Sequence, residues 1–152
     1  MRSMGVILLV LIGILVIACG SSGFSEPTES GEPTESGLRE RAEAMATVTS
    51  NEKWIEVHRF YSPEFQEKCP VGEYAISLGL GMAMAKEMMG IDEDGKLELR
   101  GTAVTVDGLN GTVTAEALYK GEPLDSLADL EPEPWAFIDG QWRYVEEECP
   151  SC

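Results

Sequence analysis

Four cysteines, one histidine and an acidic run are the residues of this 152-residue chain whose types could do chemistry. Cys149-Pro150-Ser151-Cys152 is a CxxC. In a redox site of that form the pair follows a strand and opens a helix, which lowers the thiol pKa; at the last four positions of this sequence no such helix is expected. A single CxxC is also half of a four-cysteine zinc site, and no second pair completes it. Asp92-Glu93-Asp94-Gly95 can be laid on an EF-hand calcium loop, with Asp92, Asp94 and Gly95 at the third, fifth and sixth positions. The first and twelfth positions are then Gly90 and Gly101, so both key carboxylates are missing and an acidic turn is expected. His58 is the single histidine. Glu56 falls on another helix face, and Asp107 and Asp139 sit in turns. With no acid expected beside it, His58 is read as a hydrogen-bonding residue of a helix–sheet interface. No catalytic residue, metal site or cofactor motif is expected.

The elements that would position these residues follow from periodicity. Leu38, Ala42, Met45 and Val48 form an apolar stripe on a first helix. Thr49-Ser50-Asn51-Glu52 reads as a capping box opening a second helix, with Trp54, Val57, His58 and Tyr61 on one face. Ser62-Pro63 starts a short third segment through Phe65, because Pro suits the first helical position. A longer helix runs from about Gly72 to Met89 and stops at Gly90. Its face carries Tyr74, Leu78, Met82, Ala85 and Met88/Met89, and Met82, Met84, Met88 and Met89 are expected as core filling. Gly79 and Gly81 each cost that helix about 1 kcal/mol and mark a kink or a close contact.

From Lys96 the period becomes two. Lys96–Val106 and Thr112–Lys120 read as strands around the turn DGLNG, and an acidic loop follows from Gly121 to Pro134. WAFI-DG-QWRYV then forms a hairpin, since Asp139-Gly140 suits a type I′ turn. That register sets Phe137 opposite Trp142 and Trp135 opposite Tyr144, with all four rings on one face. The upstream helices must cover that face, so Trp54, Tyr61 and Tyr74 are expected against it.

A net charge of −16 argues against nucleic acid, whose binding requires a basic face. It equally disfavours docking on anionic headgroups. The hexamer EPTESG occurs at Glu26–Gly31 and again at Glu32–Gly37, and with so little apolar content residues 19–37 read as a disordered acidic tether.

Ahead of the tether, Arg2 precedes an uncharged apolar run from Met4 to Ala18, which ends at Cys19. A membrane span needs about 20 apolar residues, so this run has the proportions of a signal-peptide core. Val16-Ile17-Ala18-Cys19, followed by Gly and Ser, resembles the bacterial lipobox. That resemblance implies cleavage after residue 18, lipidation of the Cys19 thiol, and a domain held by its lipid on the extracytoplasmic side of the cell membrane. The alternative is an uncleaved anchor using the uncharged stretch Ser3–Ser25.

NEKWIEVHRFYSPEF and PWAFIDGQWRYV together resemble the nuclear transport factor 2-like superfamily, SnoaL-like proteins included. The resemblance spans about Leu38 to Glu147 and implies an α+β fold in residues 38–152, a cone of helices on a curved antiparallel sheet (cystatin-like). Family members include dehydratases and isomerases as well as non-catalytic binding and dimerising modules. It therefore implies a small-ligand-binding or protein-interaction module, with a homodimer possible and a dehydratase/isomerase-type enzyme as the alternative. Trp54, His58, Tyr61, Tyr74, Trp135, Phe137, Trp142 and Tyr144 would line its pocket or core. In such a cone the residues after the third helical segment and after the last strand approach each other. This implies a Cys69–Cys149 disulfide, with Cys69–Cys152 the alternative.

Overall fold

A computed structural model of the chain describes residues 31–92, 94–124 and 131–150. Cys19, the apolar run before it and Cys152 lie outside the described residues.

Helix α1 spans Glu35–Ser50, and Thr34 caps it by accepting a hydrogen bond from the Gly37 amide at 3.1 Å. The second EPTESG repeat therefore runs into the helix. Leu38, Ala42 and Val48 are buried as the stripe requires, while Met45 is only half-buried.

The expected capping box does not form. Thr49 and Ser50 belong to the last turn of α1, where their hydroxyls donate back to the carbonyls of Met45 and Ala46 at 2.8 Å each. Ser50 Oγ also accepts the amide of Leu99 from the sheet. Glu52 takes a left-handed backbone conformation, and its carboxylate pairs with the buried ammonium of Lys86. These outside partners compete successfully with a local cap.

The second helix is correspondingly short. Helix α2 covers Trp54–Val57, a 3-10 turn follows over His58–Phe60, and Tyr61 is extended. The chain straightens because Ser62 precedes Pro63, which disfavours helix at Ser62. Ser62 then caps α3, Pro63–Lys68, through the Phe65 amide. Helix α4 runs Val71–Met88 and ends before Gly90, whose φ is +67°.

The strands are β1 Leu97–Asp107, β2 Asn110–Tyr119, β3 Glu122–Pro123, β4 Glu133–Ile138 and β5 Gln141–Tyr144. All pairings are antiparallel, in the order β1-β2-β4-β5, with β3 also on β2. A register shift between Gly101 and Ala103 bends the long β1–β2 ribbon. The helices pack on one face of the curled sheet, with α1 lying mainly along β1. The architecture is α+β.

The closing hairpin has the register Trp135↔Tyr144 and Phe137↔Trp142, with Asp139 and Gly140 at φ 51° and 79°. Trp135 and Trp142 are almost wholly buried; Phe137 and Tyr144 are partly so. Their cover differs from expectation in part: the Tyr61 ring does meet that of Tyr144, at 4.9 Å, but the tryptophans are covered from elsewhere. Leu38 of α1 approaches Trp142 across Gly111, where an added Cβ would run into both side chains. Trp54 faces Gly79 of α4 instead, its indole nitrogen 3.4 Å from where a Cβ would stand. Gly79 is therefore a close contact rather than a kink.

The methionines also depart from expectation. Met84 and Met88 are exposed and Met82 is half-buried, because α4 is apolar on nearly every side and the protein covers only the face bearing Tyr74 and Lys86. Among the described residues no helix is long and apolar enough to cross a membrane.

Candidate functional site

The inward row of the β4–β5 hairpin continues past its aromatic residues. Alternation places Glu133 on the face of Trp135 and Phe137, and Glu146 beyond Tyr144 on the facing arm. The Val145 amide donates to the Pro134 carbonyl at 3.0 Å, extending the pairing towards these two acids. Burial raises the pKa of the Glu133 carboxyl, and the nearby Glu146 carboxylate raises it further.

Three tyrosines meet at this end of the sheet. Tyr61 is bridged to Tyr144 beside β5, and the Tyr144 ring meets the Tyr61 ring edge-on at 4.9 Å. The Ser62 amide donates to the Tyr144 carbonyl at 2.9 Å, fixing the approach. Tyr74 of α4 donates from its hydroxyl to that of Tyr61 at 3.0 Å. Tyr144 reaches Glu146 Oε2 at 3.4 Å. Burial, the largest cause in each case, pushes all three hydroxyl pKa values upward. The cluster therefore presents protonated hydroxyls throughout the physiological range.

His58 lies behind it, buried, 5.1 Å from the Tyr74 ring and 6.0 Å from Phe65. Its Nε2 stands 2.7 Å from the Cys69 carbonyl, so the ring donates there and carries its hydrogen on Nε2. This histidine anchors backbone. Cys69 and Cys149 form a disulfide with 5.4 Å between their Cα atoms, tying the end of α3 to the segment after β5.

The cluster borders a surface groove of about 360 Å³. Tyr61, Phe65 and Leu78 give it an apolar floor, and Glu146 and Glu148 an acidic rim beside the disulfide. Glu133 and Trp135 instead line a cavity of about 30 Å³ between α1 and the sheet. That is room for a water molecule rather than an organic substrate. No hydrogen bond from a described residue reaches the Glu133 carboxyl. The Nε1 atoms of Trp135 and Trp142 are likewise buried without partners among the described residues.

The expected lining residues thus divide into two groups. Tyr61, Tyr74 and Tyr144 come together with His58 just behind, whereas Trp135, Phe137 and Trp142 form the core under α1, and Trp54 sits against α4. Glu133 and Glu146 were missed by the sequence reading, although counting back two residues from Trp135 places Glu133 indoors. Among the described residues no group of three or more His, Cys, Asp or Glu side chains could hold a metal ion. No protein-family model, no curated protein and no solved structure matches the chain.

Proposed function

We propose that the chain is a lipid-anchored, extracytoplasmic module of the nuclear transport factor 2-like type that binds a small ligand without transforming it. The lipobox-like stretch at Cys19 supports the anchor, and the helices on a curled sheet closed by an aromatic hairpin support the family. The observation that carries binding is the groove beside the tyrosine cluster, with its apolar floor and acidic rim. Such a lining suits a small amphiphile whose polar end is cationic, since the Glu146 and Glu148 carboxylates at the rim attract positive charge. Binding is favoured over acid–base catalysis because the carboxyl with the raised pKa, Glu133, faces a cavity of about 30 Å³.

Native mass spectrometry of the full chain released from its own host membranes tests this reading. A co-purifying small organic cation is expected, together with its loss from a Glu146→Lys, Glu148→Lys double variant. A bare wild-type mass, or an adduct that both forms retain, overturns it. The mass of the mature N-terminus separately reports whether Cys19 carries lipid.

A further inference from the structure

Helix α4 leaves a large apolar face uncovered. From Tyr74 to Ala85 it carries no charged residue. On its outer side Ile76, Leu80 and Met84 are 70%, 53% and 58% exposed, and Met88 extends the stripe at 84%. Ile55 of α2 is 59% exposed and shares with Ala75 a shallow groove whose edge carries Glu52 and the Lys53–Glu56 ion pair. Isolated exposed apolar residues are ordinary, whereas a continuous stripe of this kind, on the order of 300 Å², matches the largest apolar patches of monomers, which are often functional. The nearest acids on α4, Glu73 and Glu87, lie only towards its two ends.

We infer that this face rests in the headgroup–acyl boundary of the bilayer that carries the anchor, a step that depends on the lipid-anchor reading above. Fifteen residues, 20–34, separate Cys19 from the start of α1. A chain of that length spans about 20 Å as a coil and at most about 50 Å fully extended. The domain is thereby confined close to the lipid surface, where a weakly apolar contact is repeatedly sampled. Charge decides the orientation. In a protein of net charge −16, this face is uncharged from Tyr74 to Ala85, and the two acids that bracket it, Glu73 and Glu87, would stay on the headgroup side of the interface.

A second copy of the chain fits the face less well. An 18-residue helix presents a strip about 27 Å long and 10–12 Å wide. That is on the order of 300 Å², against about 800 Å² per partner in a stable interface. A two-fold axis at Leu80 would also bring Glu73 of one copy towards Glu87 of the other. A bilayer demands neither matching shape nor complementary charge.

The full chain bearing Met84→p-benzoylphenylalanine, reconstituted in phosphatidylcholine vesicles and irradiated, tests this directly. Lipid adducts at position 84 are expected, with at least tenfold fewer at Thr102→p-benzoylphenylalanine on exposed β1. Adding Leu80→Glu and Ile76→Glu should reduce the adducts at position 84 at least fivefold, while far-UV circular dichroism stays unchanged. Cross-links from position 84 to a second chain, or equal lipid labelling at 84 and 102, overturn the inference. The mature N-terminal mass of the same sample separates the two readings: an unlipidated Cys19 refutes the anchor, whereas a lipidated chain without adducts at position 84 refutes only the docking.

Discussion

The closing hairpin and helix α4 are both rich in apolar residues, yet they spend them in opposite ways. In the hairpin, period-two alternation turns the large side chains to one face, which α1 covers until Trp135 and Trp142 are only 2% and 1% exposed. In α4 apolar residues surround the axis, and the protein covers only one side of it. Hydrophobic content alone therefore says little about burial. A one-sided pattern commits a segment to a core, while an all-round pattern leaves the choice of face to whatever else is nearby.

The largest test of this contrast is the disulfide, which ties the chain just before α4 to the segment after the hairpin. The cysteines are separated by 80 positions, so chain entropy assigns the disulfide about 4.5 kcal/mol. Cys69→Ser with Cys149→Ser should lower stability in urea denaturation by that order; a loss below about 1 kcal/mol would mean that the helices and the hairpin hold together without it.

Trp142→Ala comes next, at about 3–5 kcal/mol for removing a buried ring. A melting temperature within a degree or two of wild type would mean that α1 does not cover the hairpin.

Glu133 sharpens the comparison through pH. Its carboxyl keeps a proton in the folded state above its ordinary pKa of 4.5. The stabilisation from that proton is complete below the ordinary pKa and is lost as pH rises through the raised one. Stability profiles of wild type and Glu133→Gln should therefore diverge over that window, with the variant losing less. Parallel profiles would place Glu133 in solvent.

The smallest effects belong to α4. Gly81→Ala should raise stability by about 0.5–1 kcal/mol, because an added Cβ meets nothing within 4 Å and alanine favours helix. Gly79→Ala should gain less, since its Cβ would stand 3.4 Å from Trp54. Leu80→Ser should stay within about 1 kcal/mol of wild type, the range of an exposed site. A cost above about 2 kcal/mol would show that the stripe is buried after all.

What was legible in the sequence was mostly local. The Asp139-Gly140 turn and the alternation around it specify the hairpin register from a dozen residues. Ser62-Pro63 and Gly90 likewise mark helix boundaries through backbone preferences of their own. The capping box was misread because Thr49 and Ser50 can bond backward along a helix as readily as they start one. Glu52 was drawn elsewhere by Lys86, a partner 34 residues away that no local pattern announces. Glu133 was passed over because the acidic stretch before Pro134 resembles a loop until its parity with Trp135 is counted. For α4 the helix itself was readable, but its exposed side was not, since choosing a face requires knowing that Trp54 sits at Gly79.

The disulfide also sets how the molecule would answer a pull. Among the described residues it encloses α4 and the five strands in a covalent ring, leaving α1, α2 and α3 upstream of it. Force arriving from the N-terminal side enters through α1, which only non-covalent contacts hold against the sheet. That helix would peel away first and expose the two tryptophans, while the chain between Cys69 and Cys149 stays shielded from extension. Under such a pull the domain would act as a closed loop with a detachable cover, yielding first at the seam between Leu38 and Trp142.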